Sequence, residues 1–191
     1  QKMTATADGA TMPVPEPFLV VATQNPIEME GTFPLPEAQL DRFMVRISLG
    51  YPSPEEESSI LLRFERDDTA SHAVEAVTGP DELAAMQRHV TEVRIDETLR
   101  TYIVALIQET RRHGSLALGA SPRAGLALYK TAQARAAIEA RDFVTPDDVK
   151  ELAVPVLAHR MILTSTSRLK GHATEQIVAE ILSSIPVPIE R

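Results

Sequence analysis

Four times after residue 50 the sequence sets a proline where a helix would begin: Ser53-Pro54, Gly79-Pro80, Ser121-Pro122 and Thr145-Pro146. Proline costs little at the first helical position, because its missing N–H would be unbonded there and its fixed φ suits the helix. Ser or Thr just before it can cap the open amino end. This punctuation commits the chain from Ser53 onward to a series of helices. The first carries Glu55, Glu56 and Glu57 in its opening turn, where they favour the helix dipole. A polar linker over 67–79 follows, then a helix over about 80–90. Asp96 caps a longer helix whose Leu99, Tyr102, Ile103, Leu106 and Ile107 recur at the spacing of one buried face. Ser121-Pro122 opens an alanine-rich helix to about Ala140. The helix opened by Thr145-Pro146-Asp147-Asp148 carries Val149, Leu152, Val156, Leu157 and Met161 on its stripe. Pro155 lies inside it and cannot donate to the Glu151 carbonyl, so a kink is expected there. A last helix, about 174–185, buries Ile177, Val178, Ile181 and Leu182.

The first fifty residues read differently. "KMTATA" and "ATMPV" flank Asp8-Gly9, a pair suited to a two-residue hairpin turn. Pro13, Pro15 and Pro17 then stop any pairing. "FLVVAT", from Phe18, is a continuous apolar run of the kind found in strands covered on both faces. "PEAQLDRF" is a short helix started by Pro36, and "FMVRISL" over 43–49 is a second strand. The expected fold class is therefore mainly α with a small α/β part. One unit spans 1–50 and an all-helical unit spans 51–191. Two core strands are too few for a covered parallel sheet. They pair with strands outside this chain or pack on the helical part.

Charge and residue usage narrow the chemistry. The net charge is −8, the wrong sign for a surface that neutralises phosphate backbones, so no direct nucleic-acid contact is expected. The chain has no cysteine, which excludes disulfides and thiolate metal sites and fits the expected cytoplasmic location. No apolar run reaches the roughly 20 residues a membrane span needs. The five histidines show no metal-ligand spacing. Glu28, Glu30 and Glu37 read as a solvated loop. No G-x-S-x-G occurs. The glycine-rich loop that cradles nucleotide phosphates is also absent. "AGLALYKT" at 124–131 has its lysine and threonine but lies in a helix, where backbone N–H groups are already used.

Three residues are candidates for site chemistry. Asn25 follows an apolar strand, and in open α/β sheets ligands bind off that end. Its amide could orient a water or a phosphate oxygen, or simply bond its own backbone as Asn-Pro turn starters do. Arg42 ends a short helix and could reach a phosphate on a neighbouring subunit, or pair with Asp41 or Glu37. Arg123, second in its helix, sits where the helix dipole disfavours a cation. Binding an anion at that helix end would explain it, and so would a salt bridge to an acidic residue.

In this order, "VVATQNPIEMEGTFPLPEAQLDRF", "GYPSPEEE", "GASPRAGLAL" and "FVTPDDVKELAVPVLAHRMIL" resemble the MoxR family of AAA+ ATPases over essentially the whole chain. The resemblance implies that residues 1–50 are the last part of an ATPase core and the remainder its helical lid. It makes Asn25 the sensor 1 residue that positions the attacking water. Arg42 becomes the arginine finger that acts on ATP in the adjacent subunit, and Arg123 the sensor 2 residue that couples the lid to nucleotide. It implies ATP and Mg²⁺ in the full-length protein, a homo-oligomeric ring such as a hexamer, and a client protein to be remodelled or matured. The phosphate-binding loop and the magnesium-binding acid are expected before residue 1. This chain alone is then expected to hold no nucleotide tightly and not to hydrolyse ATP. The alternative is a stand-alone helical interaction module without ATPase activity.

Overall fold

The computed structural model describes residues 4–7, 9–24, 35–65 and 75–188. The chain is mostly helical, as its proline punctuation demands. It opens on a hairpin of β1 (Thr4–Ala7) and β2 (Ala10–Pro13), antiparallel with Ala7 opposite Ala10. Gly9 takes φ +78°, the left-handed conformation that such a turn asks of glycine. Next come the short α1 (Glu37–Leu40), then α2 (Pro54–Glu65) and α3 (Pro80–Val90).

Four helices build the core: α4 (Glu97–Arg112), α5 (Pro122–Ile138), α6 (Pro146–Leu157) and α8 (Thr174–Ser184). All five apolar residues expected on the α4 stripe are buried, as are Val149, Val156, Leu157, Met161 and Ile177. Leu152 and Leu182 are partly buried against the same cluster. On α5 the packing face is Ala124, Ala127, Ala132 and Ala136, all buried around Leu128. Small side chains there let α6 lie close along it. The Asp96 carboxylate accepts the Thr98 N–H at 2.7 Å, capping α4 as expected. Thr145 and Asp148 form a reciprocal capping box at the start of α6. The α6 helix runs through Pro155 to Leu157 and then tightens into a 3-10 turn, Ala158–Arg160.

Two small features escape the periodicity reading. β3 (Leu116–Leu118) pairs antiparallel with β4 (Ile162–Leu163) across the end of the helical unit, and α7 (Ser165–Leu169) follows β4. Gly119, just after β3, passes directly over the end of α4. A Cβ built there would lie 2.6 Å from the Thr110 carbonyl oxygen and 2.7 Å from Arg111 Cα. Only glycine fits this crossing, and the crossing delivers the chain to the start of α5.

The two expected core strands are a correction. Residues 18–24 and 43–49 belong to no strand, and Leu19, Val21, Ile47 and Leu49 are exposed. A strand is defined by its ladder, and no neighbouring strand lies beside either run among the described residues. The apolar sequence is right for a buried sheet, but the partners that would make it one are not among the described residues. Helix α2 buries none of its residues either. Among the described residues the buried cluster runs from Val93 to Ile181. Residues 67–74 of the expected linker lie outside the described residues, and 75–79 are irregular or bent.

Candidate functional site

The turn after α1 is where the first part of the chain is fastened to the helical body. Arg42 N–H donates to the Gln39 carbonyl and Phe43 N–H to the Leu40 carbonyl, both at 3.0 Å, closing that turn. Within it, Asp41 and Phe43 are partly buried while Arg42 is exposed. What holds the flanking residues down is Arg160. Its side chain, 1% exposed, sends Nη1 to Asp41 Oδ1 at 3.4 Å. Its Nη2 donates to the Phe43 carbonyl at 2.5 Å and to the Met44 carbonyl at 3.3 Å. His159 Nε2 donates to the same Phe43 carbonyl at 3.1 Å. Arg46 N–H donates to the Pro155 carbonyl at 2.8 Å.

Burial pulls the Arg160 guanidinium below its ordinary pKa; the Asp41 carboxylate opposes this, and the nearby Arg123 adds to it. A cation so buried must be paired to be tolerated, and Asp41 is its ion-pair partner. Burial likewise pulls His159 below the usual imidazole value, against the bond to Phe43. A neutral ring then donates from Nε2, while its buried Nδ1 has no partner.

The Asp41 carboxylate has a second partner. Ser121 Oγ donates to its carboxylate at 3.2 Å. Ser121 occupies the capping position of α5 yet makes no side-chain cap, because its hydroxyl is turned to Asp41. The amino end of α5 is therefore without a side-chain acceptor; Pro122 has no N–H there, and the Ala124 N–H turns to the Ser121 carbonyl at 3.0 Å. Arg123 lies in this first turn and is exposed.

Of the three candidate residues, Arg42 directly follows Asp41 in the chain, and Arg123 lies two residues after Ser121, whose hydroxyl bonds Asp41. Asn25 lies outside the described residues. Among the described residues, neither the Arg42 nor the Arg123 side chain has a hydrogen-bond or ion-pair partner. Asp41 pairs with Arg160 instead of Arg42, and no bridge from Arg42 to Glu37 forms. Both guanidiniums are consequently available to an incoming anion.

Sequence reasoning missed Asp41, Ser121, His159 and Arg160. The signal was present in "VLAHRMIL": Leu157, Ala158 and Met161 are core positions, and a cation among them has to be paired. Among the described residues no group of three or more His, Asp or Glu side chains could hold a metal ion.

Comparison with known proteins matches two family models in order. Residues 1–45 match an ATPase family associated with various cellular activities (AAA), and residues 108–181 match an AAA lid domain. The chain is 47% identical to YeaC, an uncharacterised protein of Bacillus subtilis, over 97% of this chain and 58% of YeaC. It is 38% identical to the chaperone MoxR1 of Mycobacterium tuberculosis, over 94% of this chain and 49% of MoxR1. It is 31% identical to MoxR of Paracoccus denitrificans, over 88% and 56%. The chain thus spans about half the length of these relatives. A crystal structure from Cytophaga hutchinsonii, assigned as an ATPase, superposes with a TM-score of 0.87 at 36% identity, covering 97% of this chain and 59% of that one. Two family models in the right order, three relatives and a shared fold agree with the residue strings read from sequence: the chain belongs to the MoxR family of AAA+ ATPases.

Proposed function

We propose that this chain is the sensor, finger and lid portion of an ATP-driven machine that remodels or matures other proteins. Residues 1–50 serve as the end of the ATPase core, and residues from 51 onward as the lid. The observation that carries the reading is that Arg42 and Arg123, exposed and unpartnered among the described residues, flank in sequence the two residues, Asp41 and Ser121, that bond each other.

Bound ATP supplies the γ-phosphoryl group that passes to water. Transfer of that group is governed by positioning and by stabilising the charge that spreads over its oxygens. Arg42 sits on a turn whose flanking residues are bonded to the lid, so its free side chain is held out from a fixed base. In a ring it reaches the nucleotide of the adjacent subunit and sets cation where charge develops. Arg123, in the first turn of α5, binds phosphate of the nucleotide in its own subunit bidentately. Asn25 orients the attacking water in the same reading. Mg²⁺ and the phosphate cradle fall to residues other than those described. The expectation that the isolated chain does not turn over ATP follows from that.

The test is made on a complete ring that carries this region. Arg42→Ala should lower turnover by roughly 10³-fold or more with nucleotide affinity nearly intact. Arg123→Ala should instead weaken nucleotide binding. Full turnover in the Arg42 variant, or ATP hydrolysis by the clean isolated chain, would overturn the reading.

A further inference from the structure

We infer that Asp41, Ser121 and Arg160 form a clasp that ties the position of Arg42 to the amino end of α5, so that one subunit's own nucleotide sets its finger on the next. The inference rests on the proposed roles of Arg42 and Arg123. It goes beyond them by assigning the link between the two, to residues that touch no nucleotide.

The link is short and made of direct bonds. Asp41 precedes Arg42 in the chain. Its carboxylate accepts from Ser121 at 3.2 Å and pairs with Arg160 at 3.4 Å. Ser121 in turn lies two residues before Arg123. A displacement of the start of α5 is therefore passed to the Arg42 turn through one carboxylate, with no flexible segment between.

Arg160 anchors the other side of the turn. Its Nη2 donates to the Phe43 and Met44 carbonyls, immediately after Arg42. Asp41, Phe43 and Met44 are all bonded to one buried guanidinium, and Arg42, between them, has the free side chain.

The clasp also holds its state firmly. Arg160 is buried, its Nε has no partner, and Asp41 is its ion-pair partner. If Asp41 leaves, a buried cation is stranded, which is strongly unfavourable. The turn and the lid therefore move together or come apart as a unit, as a two-position element should. Ser121 contributes a trade: it gives up capping α5 to bond Asp41, leaving the helix end open where Arg123 works. The sensing end and the finger turn are thus joined by the residue that would otherwise close the sensing end. Asp41, Ser121 and Arg160 are positioning residues in this scheme.

The experiment is a double-mutant cycle on the complete ring at saturating ATP and Mg²⁺. Asp41→Asn should lower kcat by roughly 10- to 100-fold, as displacement of a reacting group does, with KM changed less than about twofold. In the Arg42→Ala background Asp41→Asn should add no further loss, because it acts through Arg42. Hydrogen exchange at the Arg46 amide should speed up while amides of α4 and α8 keep their protection.

If Arg42→Ala impairs turnover but Asp41→Asn does not, the clasp is overturned and the finger stands. Losses that multiply in the double variant overturn it too. If Arg42→Ala leaves turnover intact, the finger reading fails first and takes the clasp with it. Should Asp41→Asn lose protection throughout the core, Ser121→Ala, which leaves the ion pair in place, carries the same cycle with a smaller drop in kcat.

Discussion

His159 is a single residue with a pH-dependent consequence. Its pKa is lowered in the folded protein by burial, so the unfolded chain binds a proton more readily than the folded one. Stability is then complete above the unfolded value near 6.5 and falls as pH drops below it, levelling once the folded imidazole also protonates. His159 Nε2–H donates to the Phe43 carbonyl, so the loss should be concentrated in the attachment of residues 43–46. Protection of the Arg46 amide, its exchange measured against the intrinsic rate at each pH, should fall between pH 7 and about 5.5, and His159→Gln, which keeps a donor, should flatten that dependence.

Ala140 offers a second residue-scale check. It takes φ +55° just past α5, with Arg141 N–H donating to the Ala136 carbonyl and Ala140 N–H to the Ala137 carbonyl, the paired ending that glycine usually occupies. Ala140→Gly should raise stability by about 0.5 kcal/mol, the relief of left-handed strain exceeding the entropy glycine loses on folding. Nothing in the sequence marks this position, because the strain comes from where α5 must stop, not from a local motif.

Elements show what patterning can and cannot reveal. α2 to α6 and α8 are legible because each carries a start residue, an acidic first turn or an apolar stripe. β3 and β4 are not, because strands of three and two residues carry no period to read. The glycine that steers the chain between them was equally silent, since its reason is a crossing with α4 nearly ten residues back. Gly119→Ala forces that crossing apart at backbone atoms that cannot yield, and should cost about 1–3 kcal/mol. Because α5 begins three residues later, the same variant should also disturb Ser121 and Arg123. Thermal melts and nucleotide affinity measured together check both parts. At the start of α6, burial alone would raise the Asp148 carboxyl, but bonds from Arg141 and Thr145 outweigh it and hold it below its usual value. That stabilisation is present above the unfolded value of 3.8 and is lost as pH falls through the lower folded one. An acid melt of Asp148→Asn should lack this component.

In the whole molecule, the apolar runs at 18–21 and 44–51 and the exposed Phe64 of α2 leave more large hydrophobic surface open than a solitary chain usually shows. The isolated chain should self-associate with rising concentration, measured by sedimentation, and Leu19→Lys with Leu49→Lys should reduce it. The two runs were legible as core strands only because their composition belongs to a covered sheet. That they stand uncovered depends on neighbours no local pattern encodes. Sequence singled out Arg42 and Arg123 as candidates and passed over the bond between residues 41 and 160, because a contact so distant along the chain leaves no trace in spacing.

The buried cluster takes nothing from before Val93 among the described residues, and this sorts the damage that random change can do. A lesion such as Leu106→Ala, which should cost about 2–5 kcal/mol, threatens the amount of protein a cell keeps. On the proposed role of Arg42, a lesion there should leave abundance intact and remove only the work. In a screen that reads protein level and growth side by side, the two parts of this chain should separate into two populations of defective alleles, with the boundary between them near residue 90.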